Sequence, residues 1–252
     1  MVDVFEQVEE ELRSERYKRL ARVWLPIGAG VGAVALIGAL GWWGVDTYRT
    51  NQADKASASY EKGIEALQAG NMDGANAAFA EAADSGARGY KALALMQQAG
   101  IAVEQNKIEE AVRLFDEAAK AAGDPVLSDP AALKAAYLLM DTASLEDIQK
   151  RLEPLTGDKR PFKALAQEAI AMAQLQHGKF AEARGTFVQL QLGQDAPEAV
   201  RQRAQLAIQT IDAGTASVLP KIVEEAKKAT PAAAPAAPAE ATAEAAPAAP
   251  AA

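Results

Sequence analysis

The amino-acid sequence predicts an all-α chain, one transmembrane helix near the N-terminus followed by a helical solenoid. Three observations carry this expectation: an alanine-dominated apolar content, one long uncharged run, and a motif that returns every 36 residues. Hydrophobic residues make up 50% of the chain but aromatics only 6%. Alanine supplies most of the difference, and alanine is the strongest helix former. Small side chains also let helices approach closely, so the composition suits thin helix interfaces.

The uncharged run spans Trp24 to Val45, WLPIGAGVGAVALIGALGWWGV. As a helix, its 22 residues reach roughly 33 Å, enough for a hydrocarbon core of about 30 Å. Trp24 stands at one end and Trp42 and Trp43 at the other, as indoles do at the two interfaces. Arg13, Arg16, Lys18, Arg19 and Arg22 precede the run, whereas only Arg49 and Lys55 follow closely. The side richer in Lys and Arg stays in the cytoplasm. This predicts a cytoplasmic tail over 1–23, a transmembrane helix over 24–45 and an exported remainder. The apolar core is too long for a cleaved signal peptide, so it reads as an uncleaved anchor. Gly28 and Gly32, continued by Ala35 and Ala39, put small residues on one face. That face either packs on another membrane helix or reflects the ordinary composition of such helices. In the tail, Val4, Phe5, Val8 and Leu12 form a short apolar stripe. It either docks a cytoplasmic partner or belongs to a solvated extension of the anchor.

Beyond the anchor the sequence repeats. Gly70-Asn71-Met72-Asp73-Gly74-Ala75 is followed by Phe79 and Ala82. Asn106 to Ala111 is followed by Phe115 and Ala118, and Gly178 to Ala183 by Phe187 and Leu190. Ala75, Ala111 and Ala183 lie 36 and 72 residues apart. Such self-similarity marks a solenoid of helix pairs. One blurred copy falls over Asp141–Pro154, with Ser144 and Asp147 as its capping pair. Each unit needs a tight turn at Gly or Asn, which tolerate the left-handed conformation. No single pair buries its own apolar face, so pairs must stack.

Further boundaries are expected from capping chemistry. Asp129-Pro130 reads as an N-cap with proline at the first helical position. Gly157 to Pro161 reads as a loop. Asp195, Pro197 and Glu198 open a last helix ending at Gly214, with Arg201, Gln202, Arg203, Gln205 and Gln209 as a solvent-facing cap. The predicted repeat domain thus covers 46–215, and 216–252 holds a helix remnant and an Ala/Pro tail. Of the 23 residues from 230 to 252, 14 are Ala and five are Pro, a spacer or a solubilising end with little to form a core.

The catalytic inventory is thin. His177 is the single histidine and there is no cysteine, so no disulfide, two-histidine metal site or Ser-His-Asp triad is expected. His177 precedes Gly178 at a helix end, where it caps carbonyls or faces water. Acid pairs such as Glu9-Glu10 and Glu224-Glu225 are adjacent and so do not face one another on a helix. A formal charge of −8 disfavours nucleic acid. No enzyme activity, no cofactor and no small-molecule substrate are expected.

The repeat units resemble the tetratricopeptide repeat. Gly63, Ala99 and Ala171 match its small first-helix residue; Gly70, Asn106 and Gly178 match its turn. Ala75 with Phe79, Ala111 with Phe115, and Ala183 with Phe187 match its second helix. The period is 36 rather than 34, and the large aromatic early in the first helix is missing from most copies. The resemblance implies an inner face lined by first helices, here Tyr60, Ile64, Leu67, Met96, Val103, Glu168, Met172 and Leu175. Any one of these is either groove lining or plain core. The family's basic clamp for a terminal carboxylate is absent, since Glu168 stands where a base is expected.

A charged helix (FEQVEEELRSERYKRLARVW), a Gly-rich anchor ending GWWGV and a linker with ASASYEKGIEAL precede the repeats. This order is similar to the YfgM-like ancillary subunits of the SecYEG translocon, over about residues 5–215. That resemblance implies an inner-membrane protein with a periplasmic repeat domain. Its implied partners are translocon subunits, a membrane-anchored periplasmic chaperone and exported clients. The alternative is an envelope scaffold coordinating cell-wall or division machinery.

Overall fold

The protein is described from a computed structural model, which covers the backbone of residues 4–229 and the side-chain surroundings of most residues from 30 to 225. The stripe expected at Val4, Phe5, Val8 and Leu12, the Gly28 half of the glycine pair, and the Ala/Pro tail lie outside the described residues. Ten α-helices follow in order, with no strand among the described residues. They are α1 (Val4–Gln68), α2 (Met72–Asp84), α3 (Arg88–Glu104), α4 (Ile108–Ala121) and α5 (Pro125–Leu139). Then come α6 (Leu145–Leu152), α7 (Lys163–Gln176), α8 (Phe180–Leu192), α9 (Glu198–Asp212) and α10 (Leu219–Ala229). The helices form two compact units that divide within α3, after Ala94.

In the first unit α1 runs unbroken for 65 residues and packs its C-terminal part against α2. Its stretch from Gly30 onward is long and apolar enough to cross a membrane, and none of that apolar window is buried by the protein. Val34, Ile37 and Trp42 are each more than 70% exposed. Where α1 meets α2, Gly63 faces the fully buried ring of Phe79. A Cβ on Gly63 would lie 2.5 Å from that ring, so only glycine permits this approach. The Tyr60 ring completes the cluster, with centroids 5.4 Å from Phe79 and 6.0 Å from Tyr90.

The turns obey one rule. Gly70, Asn106, Gly178 and Gly214 all have positive φ, between 58° and 75°, and all fall on the same 36-residue register. At the first three, the turn residue donates its N–H to the carbonyl three residues back, and the next residue donates to the carbonyl five back. That pair of bonds closes the helix and satisfies carbonyls the helix end leaves over. At Gly214 the second bond is replaced: the Thr215 hydroxyl donates to the Thr210 carbonyl at 3.1 Å. In the blurred unit, position 142 is threonine; α5 ends at Leu139 instead, and Ser144 caps α6. The Ser144 hydroxyl accepts from the Asp147 N–H at 3.1 Å, as the expected capping pair requires.

In the second unit successive helices pack in chain order from α4 to α9, and α10 packs on α7. Ala111 and Ala183 are fully buried, and Phe115 and Phe187 nearly so. One core joins α5, α6 and α7 through Leu133, Ile148, Leu152 and Ala169; a second joins α7, α8 and α9 through Leu175, Phe187, Leu190 and Val200. Ala135, fully buried, shares the register of Gly63, Ala99 and Ala171, a copy the sequence reading passed over.

One expectation is corrected. Helix α5 starts at Asp124-Pro125, not at Asp129-Pro130: the Asp124 carboxylate accepts from the N–H groups of Val126 and Leu127 at 2.8 and 3.3 Å. Asp129 lies inside the helix, completely buried, and is paired with Arg160. Pro130 falls in the second turn of the helix, where it leaves the Val126 carbonyl without its i→i−4 donor. On α9, Gln202, Arg203, Gln205 and Gln209 are exposed, as expected of a solvent-facing face, and Arg203 also reaches across to α7.

Four substitutions at three positions test this construction by thermal unfolding of the full chain. Gly63→Ala and Ala111→Leu should each cost about 1–3 kcal/mol, because neither site has room for added atoms. Asn106→Val should cost about 1–2 kcal/mol from the left-handed backbone, while Asn106→Gly should be neutral or slightly stabilising. Equal stability of the Val and Gly variants would show that the turn does not hold this conformation.

Candidate functional site

Helices α5, α7 and α9 border an open groove in the second unit, with a volume of about 530 Å³. Helical spacing brings one face of each to it. From α7 come Glu168, Ala169, Met172 and Leu175; from α9 come Arg203, Leu206, Ala207 and Thr210; Tyr137 comes from α5. Residues at i, i+3, i+4 and i+7 share a helix face, so each set is a single stripe. Phe187 of α8 and Leu219 of α10 complete the lining. Met172 and Leu206 stay 44% and 62% exposed. These are flexible apolar side chains left in water where they have no partner within the chain.

One end of the groove is charged. Arg203 donates from Nε to Glu168 Oε1 at 2.5 Å and from Nη2 to Oε2 at 2.7 Å, a two-pronged ion pair. The Glu168 side chain is almost buried, whereas that of Arg203 is half exposed. The hydrogen bond from Arg203 to Glu168 raises the guanidinium pKa above its ordinary value. Beside the pair, burial raises the Tyr137 pKa; the Glu168 charge raises it further and Arg203 opposes both. The phenol therefore stays protonated at neutral pH. The pair spans 35 residues of sequence, as do two other links: Arg151 donates to Asp116 at 2.8 Å, and Gln176 donates to Asp141 at 3.1 Å. Each joins one unit to the next, one residue short of the repeat.

Of the eight positions carried over from the repeat pattern, Glu168, Met172 and Leu175 meet in this groove, with Leu175 as buried floor. Met96 and Val103, on α3, do not line it; Met96 is half-buried and Val103 sits at the edge of exposure. Tyr60, Ile64 and Leu67 belong to the first unit and are half-buried, Tyr60 within the aromatic cluster. Tyr137, Arg203, Leu206, Ala207, Thr210 and Leu219 were not anticipated. The period held a signal for α9: Ala207 continues the Ala135–Ala171 register and Gly214 the turn register. His177 caps its own helix, donating from Nδ1 to the Ala173 carbonyl at 2.8 Å. No cluster of three or more potential metal ligands occurs among the described residues.

A family model described as a tetratricopeptide repeat-like domain matches residues 5–213. The chain belongs to that family. No curated protein and no solved structure matches it. Tetratricopeptide repeat-like domains are protein-interaction scaffolds, generally non-catalytic, and the chain is accordingly a repeat protein of that kind.

Removing Arg203 alone leaves a nearly buried carboxylate without its partner. Arg203→Met should cost about 1–3 kcal/mol of stability, and adding Glu168→Met should restore much of it. A double variant no more stable than Arg203→Met would show that the two side chains are not coupled.

Proposed function

We propose that the protein is a membrane-anchored periplasmic repeat protein of the YfgM-like type. It holds partner proteins near the Sec translocon and assists the folding or hand-over of exported chains. The observation that carries the reading is the groove between α7 and α9, apolar, open and bordered by Met172 and Leu206. Such a lining adapts to many apolar segments without demanding one sequence. Residues 1–23 form the cytoplasmic part, 24–45 the span, 46–215 the repeat domain and 216–252 the C-terminal extension. The anchor raises the effective concentration of the groove at the membrane, so a modest affinity suffices. The small-residue face of Gly28, Gly32, Ala35 and Ala39 is proposed as a packing surface within the membrane. Tyr60, Ile64, Leu67, Met96 and Val103 are proposed as further partner contacts.

Two experiments test this reading. A phosphatase reporter fused after residue 215 should be active outside the cytoplasm; an inactive fusion with an active cytoplasmic reporter reverses the orientation. Co-purification in mild detergent should recover translocon subunits, and Met172→Asp with Leu206→Asp should reduce recovery at least tenfold without altering membrane insertion. Recovery of cell-wall or division proteins instead would favour an envelope scaffold. Unchanged recovery by the groove variant would move the contact to another surface.

A further inference from the structure

A second pocket, of about 670 Å³, lies in the first unit where α1 leaves its apolar run. It is lined by Tyr48, Arg49 and Gln52 of α1 and by Gly86, Ala87 and Arg88 at the start of α3. The loop between α2 and α3 is held against α1. Gly86 has φ +86°, and a Cβ there would lie 2.8 Å from Gln52 Oε1. Gln52 in turn donates to the Tyr48 hydroxyl at 2.7 Å.

The charges of this pocket are unbalanced. Arg49 and Arg88 are exposed, and neither forms an ion pair among the described residues. No carboxylate lines the pocket. Asp46, three residues before Arg49, lies about 60° from it around α1 but does not line the pocket and forms no ion pair with it among the described residues. Two guanidinium groups with their donors unspent suit an oxyanion, and phosphate best of all.

Height along α1 selects the source of that phosphate. Arg49 lies four residues beyond Val45, about 6 Å further along the axis. The polar layer on each side of a bilayer is roughly 5–8 Å thick. With Trp42, Trp43 and Tyr48 exposed around the same turns, this is the interfacial zone. We propose that the pocket binds the phosphate of an anionic phospholipid headgroup between Arg49 and Arg88, in the leaflet facing away from the N-terminal tail. The proposal rests on the reading that α1 spans the membrane. A bound headgroup fixes the α2–α3 loop to the bilayer surface and sets the rotation of the first unit about its own anchor.

The full chain, purified in mild detergent and given an equal mixture of phosphatidylglycerol and phosphatidylcholine, tests it by mass spectrometry of the retained lipid. The wild type should enrich phosphatidylglycerol. Arg49→Gln and Arg88→Gln should each lower the enrichment roughly fivefold, the double variant should abolish it, and Arg113→Gln should leave it unchanged. Excess inorganic phosphate should not displace the lipid. Equal enrichment by wild type and double variant overturns the site, as does no enrichment by the wild type. Displacement by inorganic phosphate makes it a soluble-anion site and overturns the lipid assignment. Alkaline extraction of membranes separates the two readings. Retention without enrichment defeats the lipid site alone, whereas release defeats the span and the pocket's placement with it.

Discussion

The close approach of the two helices in each pair is the constraint on which the rest depends. A helix crossing this tight needs a residue with almost no side chain on the first helix and a ring on the second to fill what remains. Gly63 with Phe79 is the extreme case, with no space for even a methyl group. Ala171 and Phe187 repeat the combination within one core, and Ala99 and Phe115, at the same spacing in sequence, are both buried. With the helices this close, the turn in each of these pairs is only three residues long. It therefore needs a left-handed position, and Gly70, Asn106, Gly178 and Gly214 supply it. Packing and turn chemistry thus share one period because each enforces the other.

The blurred third pair shows what happens when a slot changes hands. The position equivalent to Phe79, Phe115 and Phe187 is Arg151, which turns outward to Asp116 of the preceding pair. Ile148 and Leu152, one turn apart and both fully buried, fill the interior in its place. Short, branched side chains reach less far than a ring, and α6 is correspondingly the shortest helix described. The motif fades in sequence there because the chemistry of the interface differs, while the helix pair persists.

Helix content, turns and the alanine–phenylalanine register were legible in the sequence because each depends on neighbours within about 16 residues. What escaped depended on distant partners. Asp124-Pro125 and Asp129-Pro130 carry the same local capping signal; only the buried contact with Arg160 makes the second an interior pair. Arg203 sits among polar residues that suit a solvated helix, and its role emerges only from Glu168, 35 residues away. The groove was half visible for the same reason. The α7 stripe followed from the repeat pattern, but the facing α9 stripe required knowing that α9 packs beside α7.

The continuity of α1 has a mechanical consequence. Residues of the apolar run and residues that pack on α2 belong to one helix with no joint between them. Such a helix behaves as a shaft: turning its lower end turns its upper end, and a shift along its axis is passed on undiminished. Each residue added between Val45 and the α2 contact would swing the first unit by about 100° and lift it by about 1.5 Å. A flexible tether would leave the orientation of that unit to chance. Here the number of residues between the apolar run and the first helix crossing is itself the setting that fixes how the first unit is turned relative to that run.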